Sequence, residues 1–168
     1  MCLIAVSWKD HPRYSLALIA NRDEFHGRPA APAARDPQRP DLYGGRDLQA
    51  GGSWLLVSTR GRLAAVTNVR AGVQGETAPR SRGALVQGFV EGTASAAAFV
   101  DALAPVAAEH GRYNLLAWDG AELQFASNQL PPACRSRPPW MSGRCGSWAA
   151  GAAGRPWNSS RLAISANR

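Results

Sequence analysis

The 168 residues predict an α+β fold, antiparallel sheets with helices set apart, on three observations. Short apolar runs come in pairs separated by turn residues, the pattern of hairpins. Two stretches of helical periodicity sit side by side between the second pair and the third. The resulting order, ββ, loop, ββ, αα, ββ, lacks the strand–helix alternation that builds a parallel sheet. No internal repeat is present.

Taken in order, Leu3–Ser7 and Ser15–Ala20 are apolar runs joined by Trp8-Lys9-Asp10-His11-Pro12-Arg13, a hairpin with a longer loop. The second strand ends in four polar residues, Asn21-Arg22-Asp23-Glu24. Residues 27–52, rich in Pro, Gly, Arg and Asp, read as one long loop of the functional kind. Trp54–Thr59 and Leu63–Asn68 flank Arg60-Gly61 as a second hairpin. Ser81 is placed to cap a helix over Arg82–Glu91, whose Leu85, Val86, Phe89 and Val90 share a face and which Gly92 stops. Ser95 caps another from Ala96 to Ala104, broken by Pro105. Tyr113–Trp118 and Ala121–Ala126 flank Asp119-Gly120, a pair suited to a type I′ turn.

The net charge of +7 invites a nucleic-acid reading until it is located. Residues 1–128 hold 13 basic and all 12 acidic residues, whereas 129–168 hold six arginines and no acid. Leu, Ile and Val number 24 in the first segment and three in the second, too few to offset the entropy of ordering it. The chain therefore divides into a globular body, 1–128, and a basic, poorly ordered tail, 129–168. Trp140, Trp148 and Trp157 could stack on bases, but the body has no basic stripe or binding motif, so no specific nucleic-acid partner is expected. No apolar run approaches the ~18 residues of a membrane span. Without a signal segment, and with three irregularly spaced cysteines, a cytoplasmic location is expected.

Cys2 is the most consequential single residue. Removal of Met1 would set its thiol beside a free α-amine of pKa about 7.7–8.0, so that one residue supplies nucleophile and base; the bland reading is a small hydrophobe opening a strand. Asn21, Arg22, Asp23 and Glu24 could hold a polar ligand group, or be ordinary polarity after a strand. Asp23, Glu24 and His26 are too close in sequence, with no second cluster, to make a metal site, so none is assigned. Trp54 is either core or ligand platform. Asn68 ends its strand and could donate its amide to an oxyanion, or simply form a turn.

Together these stretches resemble the NRDE family, the transport and Golgi organisation protein 2 group. The matching pieces are Met1-Cys2-Leu3-Ile4, Ala20-Asn21-Arg22-Asp23-Glu24-Phe25 with Arg28-Pro29, Gly51-Gly52-Ser53-Trp54-Leu55, the run from Ser58 to Asn68, Ser81-Arg82-Gly83 and Tyr113-Asn114-Leu115-Leu116, in family order across about residues 1–128. The resemblance implies a layered αββα fold similar to the N-terminal-nucleophile hydrolases. Cys2 then matches the family's amino-terminal cysteine, and Arg22, Asp23 and Asn68 fall near the Arg, Asp and oxyanion Asn of the choloylglycine-hydrolase branch. Relatives are linked to haem trafficking and to lipid or acyl-thioester metabolism.

The chain departs from the family after Asn128, where Gln129-Leu130-Pro131-Pro132 replaces the expected Leu-Ser-Asn-Ala and Asp-Thr-Pro-Trp stretches. The abrupt loss of acids and aliphatics points to out-of-frame translation and a premature stop, hence to an incomplete sandwich that self-associates through its open sheet. The first functional expectation is a carrier or chaperone for a small hydrophobic metabolite such as haem or an acyl-lipid. It needs no cofactor; haem would be cargo, with Cys2, His11 or His26 as a weak axial ligand and Asn21, Glu24, His26 and Trp54 around it. The alternative is an amidohydrolase using Cys2, Arg22, Asp23 and Asn68 on an amide-containing substrate. A third expectation is an inactive truncated member.

Overall fold

The computed structural model describes residues 2–69 and 78–129, together with the backbone of 161–165. It is α+β: two antiparallel sheets and two helices. Strands β1 (Leu3–Trp8) and β2 (Leu16–Asn21) form the first predicted hairpin, in register from Leu3↔Asn21 to Trp8↔Leu16. The larger sheet runs β3-β4-β5-β6-β7-β8, each strand antiparallel to the next in sequence. Its members are β3 (Ala30–Arg35), β4 (Leu42–Asp47), β5 (Leu55–Ser58), β6 (Arg62–Asn68), β7 (Tyr113–Trp118) and β8 (Leu123–Ser127).

The stretch expected to be one long loop, 27–52, therefore contains β3 and β4. Neither carries strand propensity of its own: β3 reads Ala-Ala-Pro-Ala-Ala-Arg and β4 Leu-Tyr-Gly-Gly-Arg-Asp. They form because β5 offers a free edge, which β4 takes in register Leu42↔Ser58 to Gly44↔Leu56. Pro32 and a register shift between Ala31 and Ala34 then interrupt β3, which blunts the outer edge of the sheet.

Period-two alternation divides the large sheet between two cores. Leu56, Ala64, Val66, Tyr113, Leu115, Ala117 and Ala126 face the helices α1 (Gly83–Glu91) and α2 (Ala96–Leu103). Ala65, Leu116, Leu123 and Phe125 face the other way, onto Ile4 and Val6 of β1 with Leu16 and Leu18 of β2 alongside. The stack is helices, large sheet, small sheet. On the outward side of the small sheet Leu3 is 39% and Ile19 75% exposed. A further strand, β9 (Arg161–Ser165), comes from the segment read as the tail and pairs antiparallel with β1. The expectation of a poorly ordered tail otherwise falls on 130–160 and 166–168, outside the described residues. Among the described residues no helix is long and apolar enough to cross a membrane.

Three local expectations are corrected. Arg82, not Ser81, occupies the N-cap of α1 and makes no side-chain cap; the Ser81 hydroxyl instead accepts the Gly83 N–H at 3.2 Å. Pro105 does not simply break α2: the chain tightens into a 3-10 turn over Ala104–Glu109, where a proline near the start leaves no helical bond unmade. The Asp119-Gly120 hairpin is a four-residue connection, because only Gly120 takes positive φ (97°) and Asp119 accepts the N–H groups of Ala121 and Glu122. Its other carboxylate oxygen accepts the Ala96 N–H at 2.8 Å, tying this turn to α2. Ser95 caps α2 as expected, accepting the Ala98 N–H at 3.2 Å.

Candidate functional site

The β1–β2 hairpin decides where Cys2 lies. Pairing Leu3 with Asn21 sets the residue before β1 beside the residues after β2, so Cys2 meets Arg22 and Asp23. The Cys2 Sγ is half-buried, accepts the Asp23 N–H at 3.4 Å and faces the Asp23 carbonyl oxygen at 3.8 Å. It opens into a cavity of about 340 Å³ at the ends of β1, β2, β4 and β6.

Six of the eight residues singled out from sequence line this cavity: Cys2, Arg22, Asp23, Glu24, Trp54 and Asn68. Asn21 and His26 do not; Asn21 is exposed in the hairpin register and His26 is exposed in the turn that follows. His11, offered as a ligand to iron, stacks on Tyr14 at 4.9 Å in the β1–β2 loop. A six-residue strand separates it from Cys2, about 20 Å of rise. His11 therefore lies far from the Cys2 cavity. Among the described residues no group of three or more His, Cys, Asp or Glu is placed to hold a metal ion.

Sequence reasoning missed Asp47 and assigned Arg28 no role, yet both organise one wall. One Asp47 oxygen accepts the Gln49 and Ala50 N–H groups at 3.0 and 3.1 Å. The other accepts Arg28 Nε at 2.9 Å and Arg22 Nη2 at 3.3 Å. Glu24 completes the square, 3.5 Å from Arg22 and 3.8 Å from Arg28. Burial pushes the Asp47 carboxyl up, but the Ala50 N–H, the Arg28 guanidinium and the Gln49 N–H outweigh it and hold it below the usual carboxylate range. Asp47 ends a strand within the stretch read as loop, so nothing in the sequence marked it; Arg28 was visible only as part of a motif.

The opposite wall joins two motifs distant in sequence. Gly51 and Gly52 take positive φ, 69° and 79°, and a Cβ on Gly52 would lie 3.0 Å from the carbonyl carbon of Gly83. The glycine pair thus lets the entry to β5 lie directly on the first residue of α1. Arg80, Ser81 and Arg82 precede that helix and line the cavity as well. Arg80 reaches Glu109 at 2.9 Å, and Arg82 donates to the Arg112 carbonyl at 3.2 Å. Behind this wall the His110 ring bonds the Ser81 carbonyl through Nδ1 at 3.1 Å. Burial pulls the His110 pKa below its ordinary value, the Ser81 carbonyl and Glu109 opposing and Arg80 adding to the effect.

The lining thus sets four arginines (Arg22, Arg28, Arg80, Arg82) against three carboxylates (Asp23, Glu24, Asp47), with Trp54 and Val66 as apolar surface. Within the lining the arginines outnumber the carboxylates by one, with Glu109 on Arg80 outside it, and the start of a helix lies alongside, a setting that suits an anion. Asn68 lines the same cavity as Cys2.

Comparison with known proteins adds the following. Residues 1–154 match the family model described as Transport and Golgi organisation 2, a match that runs past Asn128, after which the sequence predicts a departure from the family. The mouse Transport and Golgi organization 2 homolog is 33% identical over 126 residues, which is 71% of this chain and 45% of the mouse protein. The bovine homolog is 34% identical over the same shares. The Drosophila melanogaster protein is 36% identical over 101 residues, 54% of this chain and 35% of its own. The chain spans about half the length of the curated relatives it matches.

Proposed function

The chain belongs to the Transport and Golgi organisation 2 family, and on that premise we propose that it is a carrier for a hydrophobic metabolite whose anionic head enters the Cys2 cavity. The head is the phosphate or carboxylate of an acyl-lipid, or the propionates of haem. The observation that carries this reading is the lining, four arginines to three carboxylates beside the start of α1, with Trp54 and Val66 as apolar surface. In this reading the helix–sheet–sheet stack corresponds to three layers of an N-terminal-nucleophile-hydrolase αββα sandwich. Calorimetric titration with octyl phosphate and with haemin tests it. Saturable binding is expected, weakened at least tenfold by Arg22→Gln with Arg28→Gln. Equal binding of uncharged octanol, or no effect of the arginine changes, would overturn it.

One observation favours a second reading, an amidohydrolase: Cys2 and Asn68 line the same cavity. With Met1 removed, the α-amine takes the thiol proton as sulfur attacks an amide carbonyl, and Asn68 donates to the oxyanion. Collapse breaks the C–N bond; the amine leaves with that proton, and water then hydrolyses the thioester. Intact-mass measurement decides whether the mechanism is available. A free Cys2 amino terminus is required, and retained Met1 rules the mechanism out.

A further inference from the structure

Of the large apolar side chains left exposed, Phe25 (85%) and Leu48 (62%) stand in turns next to cavity-lining residues. Phe25 follows Glu24, and Leu48 follows Asp47. The two turns are fastened to each other: Arg28 N–H closes the first onto the Phe25 carbonyl at 2.9 Å, and Leu48 N–H bonds the Pro29 carbonyl at 3.0 Å. The Arg28 guanidinium bonds Asp47 at 2.9 Å across the same seam. An isolated exposed leucine carries no information. Two exposed apolar side chains on turns fastened together, each one residue from a cavity-lining carboxylate, are a different matter. Neither supports the core, since neither belongs to either core cluster.

We infer that Phe25 and Leu48 form an apolar lip that receives the hydrocarbon chain of a ligand whose anionic head lies in the cavity. This rests on the reading of the cavity as an anion site, and it narrows the ligand class to a single-chain amphiphile. The cavity is a poor place for the whole chain: seven of its lining side chains are charged, and Trp54 and Val66 are its main apolar surface. A chain whose head lies beside Glu24 and Asp47 has this lip one residue away on either turn. Each methylene laid on it loses part of its contact with water, and affinity should therefore grow with chain length.

Titration with ethyl, hexyl and octyl phosphate, each below its micelle concentration, tests the lip. In the unmodified protein affinity should rise about a hundredfold from ethyl to octyl phosphate. Phe25→Ser with Leu48→Ser should flatten that rise while leaving ethyl phosphate affinity unchanged. Both side chains are exposed, so the variant should keep its fold, checked by an unaltered thermal midpoint. Phe25→Leu, which keeps an apolar side chain, should retain most of the rise. The same chain-length dependence in the Ser variant would overturn the lip and leave the anion site standing. Failure of every alkyl phosphate to bind the unmodified protein would overturn the anion site and the lip together.

Discussion

The two ends of α1 use arginine in opposite ways. At the C-terminal end the last turn has no basic residue, and the β5–β6 hairpin supplies two. Arg60 donates to the Val90 and Glu91 carbonyls at 2.8 and 3.0 Å. Arg62, 8% exposed, donates to Phe89 and Ala94 at 2.7–3.1 Å and stacks on the Phe89 ring at 4.1 Å. These guanidiniums satisfy carbonyls that the helix leaves unbonded, and they complement its dipole. At the N-terminal end, Arg22, Arg28, Arg80 and Arg82 ring a cavity, and their partners include carboxylates and a carbonyl. Bonded to the carbonyls of a helix end, arginine holds the fold; beside a cavity with mixed partners, it is placed to take a ligand.

Perturbing each end should separate stability from binding. Arg62→Ala should have the largest effect. It orphans buried carbonyls and removes the stacked guanidinium, a loss of about 3 kcal/mol in urea unfolding, with octyl phosphate affinity unchanged in the folded fraction. Arg22→Gln with Arg28→Gln should do the reverse, weakening octyl phosphate at least tenfold while stability shifts by less than about 1 kcal/mol, because these pairs are partly exposed. Gly52→Ala should cost about 1–2 kcal/mol, since a side chain is strained at φ 79° and its Cβ meets the Gly83 backbone. It should also disturb binding, because both walls meet there.

The smallest effect is one of pH. His110 has its folded pKa below its ordinary 6.5, so the unfolded chain binds the proton first. Its contribution is complete above about 6.5 and is lost as pH falls from there through the lower folded value. Denaturant midpoints between pH 7 and 5 should fall by an amount that His110→Gln abolishes. Asp47 and Asp119 titrate below the usual carboxylate range. Their contribution is present above the unfolded carboxylate value, about 4, and is lost only as pH falls through their lower folded values.

Much of this arrangement was legible in the sequence, and the misses share a cause. The three hairpins and both helices announced themselves by periodicity, and Cys2, Arg22–Glu24 and Asn68 by position at strand ends. Strands β3 and β4 were invisible because Ala, Pro and Gly carry no strand signal; they exist through pairing with β5. Asp47 disappeared with them. His110 was missed because only its burial against the Ser81 carbonyl distinguishes it. His26 drew notice by standing near Asp23 and Glu24, yet its turn carries it away from the cavity. Proximity in sequence says little about convergence unless a register enforces it, as Leu3↔Asn21 does for Cys2.

The central claim is that the cavity beside Cys2 is the ligand site. Chemical-shift mapping during titration with octyl phosphate tests it directly. Shifts should concentrate on Cys2, Arg22, Asp23, Ser53, Asn68 and Gly83, extend to Phe25 and Leu48, and spare the Trp8–Tyr14 loop at the far end of the hairpin. Shifts gathered on that loop, or on the exposed face around Ile19, with the cavity residues unmoved, would contradict the account.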